Sequence, residues 1–253
     1  MRTKKLFVIL IAVAFAMSVL LCVFLMFSVK KIDVKFSVSE NFETQQVYDK
    51  LEEFNGKNLL FLSLDKVEDS IDDFPYFEIT SLKKSFPNVI SIEVKERREV
   101  YDLVLEDKVA TTSSDGFVLK VTDIASWQGE TRERIILRTL GLNFEEVSVG
   151  SYLKCNDDKL VESVFEMAYS VQLTDCIKEI SIEVEPYLRK DAVFSTYTGT
   201  KIVVFDADER GKDKAIKAFN TYYDKTNDYE KTYGRIEVFE AESGLITVLW
   251  SNR

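Results

Sequence analysis

The chain contains no histidine among its 253 residues. Without an imidazole, neither a Ser-His-Asp nor a Cys-His device can be assembled, because each uses a ring nitrogen to take the nucleophile's proton. Metal binding loses its usual nitrogen ligand too; Cys22 lies in a long apolar run, and two distant thiols, Cys155 and Cys176, do not make a site by themselves. Only three prolines and nine glycines occur while 46% of residues are hydrophobic, a composition that excludes low-complexity disorder. The net charge of −10 comes without any basic stripe, which removes nucleic acid from the expected partners. Gly211-Lys212 lacks the further glycines and strand context of a phosphate loop. No catalytic, cofactor-binding or metal-binding residue is assigned.

What remains is an anchor and a folded body. Leu6 to Val29 holds no charged residue. As a helix rising about 1.5 Å per residue it would extend roughly 36 Å, enough to cross a bilayer with some tilt. Arg2, Lys4 and Lys5 before it also fit the start of a cleaved signal peptide, the competing reading. Against cleavage, the run exceeds the about 7 to 15 residues of a signal core and ends in Phe27-Ser28-Val29-Lys30, with no Ala-x-Ala-like site. The expectation is a short tail, residues 1–5, a span over 6–29, and a long extracytoplasmic part. Local charge alone does not fix the orientation, since Lys30, Lys31 and Lys35 follow the span closely.

Past the span, Lys31 to Val38 alternates Ile32, Val34, Phe36 and Val38 against Asp33, Lys35 and Ser37, the pattern of a half-buried strand. Ser39-Glu40-Asn41 breaks it. Thr44 to Phe54 carries Val47, Leu51 and Phe54 at helical spacing. After the apolar run Leu59 to Leu64, Asp65 and Glu68 read as a capping box opening a helix that ends before Pro75. Two strands follow, about Phe77 to Phe86 and Val89 to Lys95, around a Pro87-Asn88 turn; Ile90, Ile92 and Val94 share one face.

From Glu99 onward the pattern is strand-rich. Tyr101 to Leu105, Lys108 to Thr112, Phe117 to Val121 and Arg134 to Arg138 are short strands, with Leu140 to Phe144 a connecting loop. A helix between Asp157 and Gln172 presents Leu160, Val161, Val164, Phe165, Ala168 and Val171 on one face. Ile177 to Glu185 alternates again, and Ala192 to Tyr197 with Thr200 to Phe205 form a hairpin around Thr198-Gly199. A second helix spans Lys212 to Tyr223, with Ala215, Ile216, Phe219, Tyr222 and Tyr223 inward. Arg235 to Phe239 and Leu245 to Trp250 close the chain as strands. Cys155 and Cys176 flank the first of these helices, whose ends lie roughly 22 Å apart; a disulfide between them would need the flanking segments to fold back to within about 7 Å.

Carboxylate pairs are the remaining catalytic option, as in a glycosidase. Asp206 with Asp208 and Asp157 with Asp158 are candidates, but each pair sits at a helix approach, where acids commonly complement the helix dipole. Tyr222, Tyr223, Tyr229 and Tyr233 cluster near the end of the second helix, as packing or as an aromatic patch for a protein partner.

The ordered set GKNLLFLSLDKVEDSI, FPYFEITSLKKSFPNVISIEVKERR and Asp115-Gly116-Phe117-Val118-Leu119, behind a single apolar span, resembles the FtsQ/DivIB family of bacterial cell-division proteins. The resemblance covers the chain to about Leu119 well and the remainder by layout. It departs from the family where Asn41 lacks a preceding Gly and where Glu99 replaces a common Pro. The resemblance implies an α+β protein with one N-terminal transmembrane helix, a β-α-α-β-β POTRA domain over 30–98, and a larger, mainly antiparallel β domain with two helices over 99–253. It implies a non-enzymatic divisome scaffold without cofactor, single-pass in the bacterial cell membrane, N-terminus cytoplasmic, at the division septum. The implied partners are FtsB/DivIC-type and FtsL-type proteins, engaged to recruit or regulate septal peptidoglycan synthesis. Chain order would place that contact on the last two strands and the neighbouring helix: Ile236, Val238, Phe239, Ile246, Val248, Trp250, Tyr222 and Tyr223. Trp250 equally fits as a cover for the core, and the two roles are compatible. A POTRA-bearing export or assembly factor and a membrane-anchored cell-wall hydrolase are the alternative classes; the later strands lack the ten-residue lipid-facing repeats of a barrel.

Overall fold

The computed structural model describes residues 2–37, 44–171, 176–184, 189–224 and 230–252. Val38, Ser39-Glu40-Asn41, Gln172, Glu185 and Tyr229, named above, lie outside them. The chain divides into two compact units, Met1–Arg97 and Arg98–Arg253.

The first unit begins with helix α1, Arg2–Met26. Its side chains are described from Leu10, and among the described residues no helix is long and apolar enough to cross a membrane. The uncharged stretch in the sequence is longer, because it begins at Leu6. Then come β1 (Lys31–Ser37), α2 (Gln45–Leu51) with a tight extra turn Glu52–Phe54, α3 (Asp65–Asp72), β2 (Phe77–Ser85) and β3 (Val89–Glu96). The sheet order is β1-β3-β2, with β1 parallel and β2 antiparallel to the central strand. Register pairs Ile32 with Ile90, Val34 with Ile92 and Phe36 with Val94, so the alternating apolar residues of two strands share one face. That face is sealed by Val47, Leu51 and Phe54 from α2 and its extra turn, and by Val67 and Ile71 from α3. A bulge between Ile79 and Ser81 shifts the alternation of β2, which brings both Ile79 and Leu82 against this core.

The capping box at Asp65 and Glu68 does not form. Leu64 is already helical and caps α3 without a side-chain hydrogen bond; its carbonyl accepts from the Glu68 amide at 3.0 Å. Asp65 instead accepts from the Ser63 hydroxyl at 3.2 Å. The helix starts one residue earlier than the acidic pair suggests.

Among the described residues the second unit forms a nine-stranded sheet. Its strands are β4 (Tyr101–Val104), β5 (Lys108–Thr112), β6 (Val118–Asp123), β7 (Ile135–Leu140), β8 (Ile177–Val184), β9 (Lys190–Thr196), β10 (Lys201–Val204), β11 (Gly234–Glu240) and β12 (Ile246–Asn252). In space they run β12-β11-β10-β9-β8-β7-β4-β5-β6. Five neighbouring pairs are antiparallel; β4-β7, β7-β8 and β10-β11 are parallel. The sheet is therefore mixed, and the parallel pairs account for the helices, since parallel neighbours need a long crossover. Helix α4 (Asp158–Ser170) joins β7 to β8, and α5 (Gly211–Asp224), followed by the short α6 (Glu230–Tyr233), joins β10 to β11.

Leu160, Val161, Val164, Phe165, Met167 and Ala168 of α4 are buried in one core with Ala215, Ala218, Phe219 and Tyr222 of α5. The inward stripe of α5 differs from the expected one at two positions: Ile216 and Tyr223 are exposed. Lys214 and Ala218 take their places, completing the series 211, 214, 215, 218, 219, 222. Lys214 tolerates burial because its Nζ donates to the Phe205 and Asp206 carbonyls at 2.9 and 3.0 Å. Burial pushes its pKa down, against the pull of neighbouring carboxylates.

Candidate functional site

At one end of the sheet order, among the described residues, stands β12. It pairs antiparallel with β11, setting Ile236 opposite Trp250, Val238 opposite Val248 and Glu240 opposite Ile246. Ile246, Val248 and Trp250 are half-buried against the core, while Thr247, Leu249 and Ser251 point the other way. Leu249 is 50% exposed on that second face. One long side of β12 thus has no described strand beside it, and such an edge can accept another strand through its unpaired N–H and C=O groups.

Several contacts hold the edge in place. Gly244, at φ 77°, forms the β11–β12 turn, and its amide donates to the Ala241 carbonyl at 2.8 Å. Arg210 reaches across from the start of α5, donating to the Gly244 carbonyl and pairing with Glu240, each at 3.1 Å. Lys217 on the exposed face of α5 donates to the Ile246 carbonyl. The indole Nε1 of Trp250 is buried and has no hydrogen-bond acceptor among the described residues. A buried unpaired donor of this kind costs about 1–3 kcal/mol.

The residues singled out from the sequence separate into three groups. Ile246, Val248 and Trp250 sit on the edge strand with one face inward. Ile236 and Val238 are fully buried in the neighbouring strand, so they support the edge and offer no side-chain surface; Phe239 is half-buried on the opposite face of β11. Tyr222 is buried and its hydroxyl lies 2.9 Å from Thr198 Oγ1, beneath the β9–β10 turn. Tyr223 is 50% exposed, but its hydroxyl lies 3.1 Å from Cys176 Sγ at the start of β8, with β9, β10 and β11 between that strand and β12.

Residues 27–97 match the family model for the POTRA domain, FtsQ-type. The chain is 26% identical over 164 residues to the cell division protein DivIB of Clostridium botulinum (strain Hall), covering 64% of this chain and 60% of that protein. Its namesake from Clostridium acetobutylicum is 22% identical over 143 residues, covering 54% and 55%. Residues 27–97 are an FtsQ-type POTRA domain, and the chain is similar to DivIB cell-division proteins. It spans 60% or less of the length of these two curated relatives. The solved extracytoplasmic domain of the trans isomer of DivIB from Geobacillus stearothermophilus covers 52% of this chain and 98% of its own, at 12% identity and a TM-score of 0.31, too slight a likeness to carry an argument.

The candidate carboxylates are not arranged in the pairs their spacing suggests. Asp157 caps α4, accepting from the Leu160 amide at 3.3 Å, and Asp158 accepts from the Cys155 amide at 2.7 Å. Asp157 and Asp208, far apart in sequence, both lie 2.8 Å from Lys190 Nζ. Their hydrogen bonds push the lysine pKa up, so the two carboxylates are gathered around a firmly charged ammonium. Asp206, in left-handed backbone at φ 48°, donates its amide to Asp191. Sequence reasoning missed the supports Arg210, Lys217 and Lys190. Their polarity reads as surface, and only the strand order brings them to these contacts.

Proposed function

We propose that this chain is a membrane-anchored, non-enzymatic scaffold of the division machinery. Leu6–Val29 serves as the single span, with the tail cytoplasmic and both folded units outside. The open edge of β12 receives a strand from an FtsB/DivIC-type partner, itself paired with an FtsL-type protein, and so recruits or regulates septal wall synthesis. The observation that carries this reading is an apolar, firmly stapled edge strand bearing a buried indole N–H without an acceptor among the described residues. The FtsQ-type POTRA match and the similarity to DivIB proteins support the cell-division role, and the uncharged run from Leu6 supports the anchor. The hydrolase alternative finds Asp157 and Asp208 tied up by Lys190, and the export-factor alternative is disfavoured by the FtsQ-type match.

Binding of the full chain in detergent to the soluble domains of a DivIC-type and an FtsL-type protein tests this. Leu249→Lys leaves the core untouched and places a charge on the edge, a device by which natural edge strands resist pairing. It should weaken binding at least about tenfold, equivalent to about 1.4 kcal/mol. Undiminished binding by both Leu249→Lys and a folded Ile246→Asp, Val248→Asp double variant would sink the edge assignment. A fluorescent fusion that stays evenly spread over the envelope throughout division would remove the septal role.

A further inference from the structure

The junction between α1 and the POTRA domain is hydrogen-bonded as a fixed joint. The Asn58 side-chain amide donates to the Phe24 carbonyl at 3.0 Å, and the Leu59 amide to the Phe27 carbonyl at 2.7 Å. Val29 and the 56–57 turn exchange two more bonds, Val29 N to Lys57 O at 2.9 Å and Gly56 N to Val29 O at 2.8 Å. Lys30 donates to the Asn88 carbonyl at 2.9 Å, tying in the β2–β3 turn. The last turn of a helix leaves carbonyls without partners, and hydrocarbon supplies no water to satisfy them. Here the POTRA loop does so, and it is thereby held level with the end of α1.

Three large apolar side chains stand exposed around this joint: Leu60 at 45%, Phe61 at 82% and Phe86 at 59%. The Phe86 ring lies 6.0 Å from that of Phe27, edge-on. Exposed lysines stand at the same end of the module, Lys30 and Lys31 at the start of β1 and Lys57 in the loop, with half-buried Lys84 near the end of β2. From Leu6 to Met26 a helix rises about 31 Å, which matches a hydrocarbon core of about 30 Å. The level to which Asn58 and Leu59 are bonded is then the boundary between acyl chains and headgroups. Aromatic and aliphatic side chains with a basic rim suit an anionic bilayer surface.

We propose that the 58–61 loop and the Phe86 turn dock on the outer face of the bilayer, with Phe61 inserted. The POTRA domain then has one fixed orientation on the membrane, set by its joint with α1. This rests on the reading of α1 as a membrane anchor. A single added tryptophan, in the full chain reconstituted into phosphatidylglycerol vesicles with acyl-brominated phosphatidylcholine, tests it. Both native tryptophans, Trp127 and Trp250, lie in the second unit, so subtracting wild-type emission isolates the reporter. Phe61→Trp should be blue-shifted and quenched to an extent comparable with Leu25→Trp near the end of α1. Tyr48→Trp should be spared, because Tyr48 packs on Phe36 at the far end of β1. Quenching at Leu25→Trp without quenching at Phe61→Trp overturns the docking and leaves the anchor standing. No quenching at either overturns both. A blue shift at Phe61→Trp without bromolipid quenching places it against protein and overturns the docking, and equal quenching at Tyr48→Trp overturns the fixed orientation.

Discussion

Gly116, in the Asp115-Gly116-Phe117 turn before β6, is where backbone conformation and core packing meet most closely. Its φ of 82° lies in the left-handed region, and a Cβ built there would be 2.6 Å from Cε2 of Phe165. The ring cannot simply retreat. It stacks on the buried Tyr101 with centroids 5.0 Å apart, and it belongs to the packed face of α4. Gly116→Ala therefore incurs two separate penalties. Left-handed backbone costs an L-residue about 1–2 kcal/mol, less about 0.4–1 kcal/mol returned because alanine restricts the unfolded chain. Forcing a methyl against a fixed ring adds about 1–3 kcal/mol.

Gly129 separates the two. It has the same φ of 82° but nothing within 4 Å of its would-be Cβ. Gly129→Ala should thus cost about 1 kcal/mol or less, from backbone alone. Gly116→Ala should cost about 2–4 kcal/mol by adding the clash. Urea or thermal unfolding followed by tryptophan emission reads this unit selectively, since Trp127 and Trp250 both lie in it. For a unit of this size each kcal/mol moves the midpoint temperature by about 2–4 °C. Combining Gly116→Ala with Phe165→Leu should recover part of the penalty, a coupling of about 1 kcal/mol. Equal losses at the two glycines, or strict additivity with Phe165→Leu, would refute the packing argument.

Two further outcomes follow from buried carboxylates. Asp102 accepts from Thr111 Oγ1 at 2.8 Å, Trp127 Nε1 at 3.1 Å and Arg134 Nε at 3.0 Å. Asp102→Asn should cost about 3 kcal/mol, the low end for breaking a buried ion pair, because Arg134 keeps Glu99 at 2.8 Å; an unmoved urea midpoint would contradict this. Asp191 has its pKa pushed up by burial, which outweighs Arg189 and the Asp206 amide. A raised carboxylate means the fold favours the protonated form, so its contribution is present at low pH and lost as pH rises through the folded-state pKa. Asp191→Asn should accordingly be more stable than wild type at pH 7, with the gap closing below about pH 3.9, the unperturbed value; a less stable variant at neutral pH would reverse the sign.

What could be read from residue order was whatever repeats. Ile90, Ile92 and Val94 announce β3, and Leu160 to Ala168 announce α4, because a period of 2 or 3.6 survives without knowledge of neighbours. Strand order has no period, and so the three parallel pairs stayed hidden, although two helices in a strand-rich unit are the crossovers such pairs require. Lys214 was passed over because an inward lysine breaks an apolar stripe until its two carbonyl acceptors are known. Asp157 and Asp208 meet only through the fold. At the candidate site, the apolar alternation of β12 was legible, whereas the stapling by Arg210 and the unsatisfied Trp250 indole depend on three-dimensional placement.

A nine-stranded open sheet has two edges, and the difference between them argues for β12 as the receiving one. At the β6 edge the chain covers itself. The Val118 amide donates to the Ser151 carbonyl and the Val118 carbonyl accepts from Gly150, each at 2.9 Å, while Phe117 bridges Tyr152. Farther along β6, Lys120 and Asp123 are exposed, and charge on an edge discourages pairing. On β12, by contrast, Leu249 is exposed between half-buried Val248 and Trp250, and Lys217 occupies the Ile246 carbonyl at its beginning. An edge left apolar and rigid is an aggregation hazard unless something covers it. One edge is blunted and the other, among the described residues, is not; that difference is the physical support for the proposal that a partner strand pairs with β12.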